Sequence, residues 1–128
     1  MGSIDSLVPI RLKRAHKTLA AAKSLLEEKF FNDSLSKSYY AIFYAAGAAL
    51  ESVGFQTKRH ATTIQKFHEQ FILTNKVDEY HHLTLANAFR TRNLAYYELT
   101  WEAEEEEVKD QIKRAEEFIK AIEELLKQ

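Results

Sequence analysis

The densest set of chemically capable side chains in this 128-residue sequence is Phe89-Arg90-Thr91-Arg92-Asn93-Leu94-Ala95-Tyr96-Tyr97. Two guanidiniums, an amide and two phenols fall within two helical turns. Arg90 and Tyr97 are seven apart and share a helix face; Arg92 and Tyr96, four apart, share a neighbouring one. Arg92 lies close to a stripe that otherwise points inward. A partly buried arginine needs a partner. A carboxylate of the same chain can fill that role, or a phosphate in a cleft, whose oxygens suit the guanidinium fork. Lys58-Arg59-His60 is a second basic cluster that can join such a cleft.

Other chemistries find little support. The chain has no cysteine, hence no disulfide framework, thiolate metal site or cysteine nucleophile, as in cytoplasmic proteins. Its histidines are His16, His60, His68, His81 and His82. His81 and His82 point about 100° apart on a helix, and no His-Glu-x-x-His occurs, so neither a metal nor a cofactor is expected. Three glycines cannot build a phosphate loop. A net charge of −1 makes the whole molecule no magnet for nucleic acid, so a phosphate partner must meet a local patch. No apolar run reaches membrane length. Met1 to Ser6 fit an N-myristoylation pattern, but nothing polybasic supports anchoring, and they are read as an ordinary start.

The element expected at the centre is Asn32 to Gly54. Leu35, Tyr39, Ile42, Ala46, Ala49 and Val53 recur at helical spacing, with Tyr40, Phe43, Gly47 and Leu50 on an adjacent face. A helix apolar on most of its circumference is buried. Asn32 is read as its N-cap, Gly54 as its left-handed terminator, and Gly47 as a point of close helix crossing. A first helix is expected from about Ser6 and Pro9 to Glu28, with Leu12, Ala15, Leu19, Ala22, Leu25 and Leu26 inward. Its basic side reads as a solvated face or a phosphate-facing one. A third helix is expected from about Ala61 to Asn75. A fourth, capped by Asp78, should turn Leu83, Ala86, Phe89 or Arg90, Asn93 and Tyr97 inward. A fifth should start near Thr100, with Val108, Ile112, Ala115, Ile119, Ile122 and Leu126 inward. Glu104 to Glu107 would sit in its first turns, where the helix dipole favours negative charge. The fold class is all-α: one domain over residues 1–128, an up-and-down bundle of four long helices plus a shorter one.

The order of these segments resembles the HEPN-domain family, in its small prokaryotic form. The resemblance rests on Asn32-Asp33-Ser34, the aromatic run Ser38-Tyr39-Tyr40-Ala41-Ile42-Phe43-Tyr44, Lys58-Arg59-His60 before the third helix, Arg92-Asn93-Leu94-Ala95-Tyr96-Tyr97 ending the fourth, and the acid-rich last helix. It spans roughly residues 7 to 127. It implies a homodimer, often paired with a minimal nucleotidyltransferase in a toxin–antitoxin-like system, whose active members are metal-independent ribonucleases. The family motif is Arg, a polar residue, then His four to six residues on. Arg92 and Asn93 match, whereas Tyr97 stands at the histidine position. A phenol with a pKa near ~10 is a poor general base at neutral pH. The expected function is therefore nucleotide or RNA-phosphate binding, with Arg92, Asn93, Tyr97, Arg90 and His60 as candidate contacts. The alternatives are a ribonuclease toxin borrowing a histidine such as His60, and a purely structural helical dimer.

Overall fold

The computed structural model describes residues 3–127, with side chains from residue 7 onward. Met1 and Gly2, at the myristoylation-like start, lie outside the described residues. The elements are α1 (Ser3–Glu27), α2 (Phe31–Ser52), α3 (His60–Phe67), a π-helical turn (His68–Ile72), α4 (Glu79–Tyr97) and α5 (Glu105–Leu126). Among the described residues there is no strand, and the all-α bundle is as expected. α1 starts earlier than the Ser6–Pro9 signal indicated and takes Pro9 into its body.

α2 is the central element. Leu35, Tyr39, Ala41, Ile42, Ala45, Ala46, Ala48 and Ala49 are fully or almost fully buried, and α1, α4 and α5 all pack on it. Its packing against α1 is the most extensive in the molecule, and Ala15, Leu19 and Ala22 form the buried seam. Alanine on both surfaces allows close approach without voids. Val53 departs from the expected stripe and is 48% exposed, because the helix ends at Ser52. There Gly54, with φ 82°, donates its N–H to the Glu51 carbonyl while Phe55 donates to Leu50, a Schellman ending. The same pattern ends α1, where Lys29 (φ 66°) and Phe30 donate to Leu26 and Leu25.

Three local expectations are corrected. Asn32 does not cap α2, which starts at Phe31 without a side-chain cap. Its amide instead pins the α4–α5 connection: Nδ2 donates to the Trp101 carbonyl at 3.1 Å, and Oδ1 accepts from Ala103 N–H at 2.9 Å. That strap delays α5 from Thr100 to Glu105. A Glu104–Glu107 capping box then opens the helix, with Ala103 and Val108 buried at the positions of a hydrophobic staple. α4 is rotated from its expected register. Asp78 caps it by accepting from Tyr80 N–H, but Leu83 and Tyr97 are exposed, while Thr84, Leu85, Ala88 and Thr91 face the core. Two inward threonines disguise the stripe: Thr84 returns its hydroxyl to the Tyr80 carbonyl, and Thr91 reaches Gln111.

Gly47 meets a side chain rather than a facing backbone. A Cβ there would lie 3.5 Å from Arg11 Nη1 and 3.9 Å from Arg11 Cδ, an ordinary contact. Arg11 crosses above it so that Nε can donate to Glu51 Oε1 at 2.8 Å. Glu51 is fully buried, and Gln56 Nε2 donates to its other oxygen. Gly47→Ala should therefore raise stability by about 0.5–1 kcal/mol through helix propensity. Gly47→Leu should lower it by about 1–3 kcal/mol or more, by pushing Arg11 off a carboxylate left buried. Urea unfolding of both variants checks the pair of signs.

His68 and His82 meet where the π turn passes α4, their rings 4.5 Å apart, while His81 turns towards Phe118 of α5. His81 and His82 each have a buried Nδ1 without a partner. Burial lowers the pKa of both, and His68 lowers that of His82 further; Asp78 and Glu117 oppose the shift at His81, and Glu79 at His82. A histidine depressed in the folded state binds its proton more readily when unfolded. The neutral form's contribution to stability is thus complete above about pH 6.5 and is lost as pH falls towards the folded pKa. The unfolding midpoint should fall between about pH 7.5 and 5.5, and a His81→Gln, His82→Gln protein should show a flatter calorimetric profile.

Candidate functional site

α2, the start of α3 and the last turns of α4 converge on one aromatic cluster. α2 supplies Tyr39, Tyr40 and Phe43, α4 supplies Phe89, Arg92 and Asn93, and His60 enters as the first residue of α3. The imidazole lies between two rings, stacked on Phe43 at 4.6 Å and on Phe89 at 5.7 Å. Tyr39 is fully buried and its hydroxyl faces His60 Nδ1. Burial first, and then Tyr40, push the Tyr39 phenol well above its ordinary pKa, although Arg92 opposes this. Tyr39 therefore stays protonated and can donate to Nδ1 in the tautomer that carries the imidazole proton on Nε2. Burial and then the charge of Arg92 lower the His60 pKa, so the ring is held neutral.

Arg92 has no carboxylate partner among the described residues. Nη2 donates to the Tyr40 hydroxyl at 2.8 Å and Nη1 to Asn93 Oδ1 at 2.9 Å. Those bonds use two of the five N–H donors. Nε is buried without a partner. The guanidinium lies 5.6 Å from the Tyr40 ring centre and 5.3 Å from that of Tyr96, a cation–π arrangement on two rings. Neutral oxygens and π faces hold its position and leave its charge uncompensated, which is the electrostatic condition for taking an anion.

Of the five residues singled out in the sequence, Arg92, Asn93 and His60 come together. The His60 ring meets Tyr40 at 5.9 Å, and Tyr40 in turn holds Arg92. Tyr97 is 70% exposed and touches Tyr96, which itself packs on Arg92. Arg90 is exposed and makes no hydrogen bond or salt bridge among the described residues. Sequence reasoning counted Tyr39 and Tyr40 only as core-facing rings. The available signal was their hydroxyls: a phenol on an otherwise apolar helix face needs a polar partner. Among the described residues no group of three or more His, Asp or Glu side chains is arranged to hold a metal ion, and no helix is long and apolar enough to cross a membrane.

Because truncation of Arg92 strands no buried carboxylate, Arg92→Ala should cost only about 1–2 kcal/mol of stability, from lost packing and hydrogen bonds. Removing one partner of a buried ion pair would cost about 3–5 kcal/mol. Chemical denaturation separates the two values.

Comparison with known proteins gives a consistent result. Residues 8–125 match the family model of the HEPN domain. A UPF0332 protein of Thermotoga maritima is 32% identical over 126 residues, covering 98% of this chain and 96% of its own. A Methanocaldococcus jannaschii protein bearing the name "Putative toxin" is 33% identical over 125 residues, covering 98% of this chain and 90% of its own. A second protein of that organism, similarly named, is 30% identical over 96 residues, 75% of this chain and 65% of its own.

Proposed function

The chain belongs to the HEPN-domain family, and from that premise we propose that it is a nucleotide- or RNA-phosphate-binding component of a toxin–antitoxin-like pair with a minimal nucleotidyltransferase. The observation that carries this reading is Arg92: a partly buried guanidinium oriented by Asn93 and Tyr40 and, among the described residues, paired with no carboxylate. A phosphate oxygen would receive its remaining N–H groups, and the neutral Nε2–H of His60 adds a donor on the same cluster. The toxin names of two relatives support the assignment to such a pair.

Tyr97 in place of histidine makes the ribonuclease motif degenerate in this reading. The second reading, a metal-independent ribonuclease borrowing His60, is favoured by the presence of His60 beside Tyr40 and Arg92. Its difficulty is the tautomer. For Nε2 to act as a base, Nδ1 must carry the proton, and the buried Tyr39 hydroxyl would then have to turn its own hydrogen elsewhere. Binding without efficient cleavage is the simpler chemistry.

A two-fold dimer and a cytoplasmic location complete the proposal. Tyr96, which packs on Arg92, and the following Tyr97 and Leu99 are 71%, 70% and 100% exposed, an apolar surface suited to bringing two copies of the site together. Arg92→Ala should weaken nucleotide or RNA binding about ten- to a hundred-fold, the worth of one charge-assisted group. Sedimentation at micromolar concentration should show a dimer. RNA incubated with the parent in EDTA should stay intact; strong cleavage abolished by His60→Ala would replace the binding reading with the second one.

A further inference from the structure

The cations of α1 fall into two sets. On the side facing α5, Lys23 pairs with Glu116 at 2.5 Å, and His16 Nε2 lies 2.7 Å from a Glu123 carboxylate oxygen. On the side facing α2, Arg11 is paired with the buried Glu51, but the other cations have no such partner among the described residues. Lys13, Arg14 and Lys17, with Lys37 of α2, line a groove of about 530 Å³, and none of the four has a carboxylate partner among the described residues. Four uncompensated charges in one groove stand out on a chain of net charge −1.

The groove runs on towards Arg92. Its wall includes Tyr44, with the Arg14 guanidinium 5.6 Å from the ring centre. Lys37, Tyr40 and Tyr44 are spaced three and four apart, so they share one face of α2. Tyr40 is the residue that holds Arg92, and its ring is 6.2 Å from that of Tyr44. On its other side Tyr44 borders a second cavity of about 420 Å³, which Phe43 and Lys58 also line. Cations and aromatic rings thus alternate along one path.

We infer that the α1–α2 groove is a docking track for single-stranded RNA, binding nucleotides that flank the phosphate held at Arg92. The track rests on the proposed role of Arg92, because it leads there. Lysines set along a groove follow a phosphate backbone, and Tyr44 and Phe43 offer faces on which only unpaired bases can stack. A mononucleotide would leave most of these cations without a phosphate.

The test uses a fluorescent 12-nucleotide poly-uridine RNA and a dinucleotide, titrated against the parent, a Lys13→Gln, Lys17→Gln, Lys37→Gln protein, the corresponding triple arginine protein, and Arg92→Ala. For the 12-mer, the glutamine variant should bind at least ten-fold more weakly. Its dependence of log affinity on log salt should be shallower by about 2, since each phosphate contact on a single strand contributes about 0.7. The arginine variant should retain parental binding, and the dinucleotide should bind parent and glutamine variant alike. Arg92→Ala should weaken both RNAs. An unchanged salt slope in the glutamine variant would overturn the track while leaving the Arg92 reading in place. Failure of the parent to bind either RNA would overturn both. Tighter parental binding to phosphatidylglycerol vesicles than to RNA, lost in the glutamine variant, would make the groove a lipid surface and overturn the inference.

Discussion

Most of α2 is buried, so each polar group on its inward faces must be answered from within the protein. That constraint shapes its neighbours. Ser34 Oγ donates to the Ala22 carbonyl of α1, and Ser38 Oγ donates to Leu35 and accepts from Gln111 of α5 at 2.6 Å. Gln111 also donates to the Leu35 carbonyl at 3.0 Å, while Thr91 of α4 lies 3.2 Å from its Oε1. One buried amide therefore joins three helices. A fully satisfied network of this kind fixes the relative rotation of the elements, where apolar packing alone would tolerate sliding.

The candidate site follows from the same constraint. Tyr39 and Tyr40 also bring polar atoms into the interior, and their hydroxyls are met by His60 and Arg92. Electrostatics then act in one direction. Burial and then the guanidinium charge lower the imidazole pKa, and its Nδ1 faces a phenol that burial keeps protonated. Net positive charge at the cluster resides on Arg92, because every group in direct contact with it is neutral.

Much of the fold was legible in the sequence because apolar spacing reports burial directly. The stripe on α5 from Val108 to Ile122 lies inward as its spacing indicates, and Gly54 adopts the left-handed conformation expected of it. Polar residues that do unexpected work were harder to read. Thr84 and Thr91 hide the true face of α4, and Asn32 looks like a cap but ties down a distant loop. Glu51 ends a charge-free run, and only the fold shows that Arg11, forty residues earlier, compensates it. Arg92 and Asn93 stand out in the sequence because their types announce chemistry. The meeting of His60 with them depends on where the α2–α3 connection ends, which local pattern does not encode.

Asn32 makes α2 a spacer of fixed length and phase. At one point along it the helix grips residues 101 and 103, and about two turns later it presents Tyr39 and Tyr40 to His60 and Arg92. One inserted or deleted residue between these points would rotate the second set by about 100° relative to the first. Either the strap or the cluster would then face the wrong neighbour. Length variation among relatives should therefore collect in the connection at 53–59, which lies outside the helices, and be absent from the span between Asn32 and Tyr40.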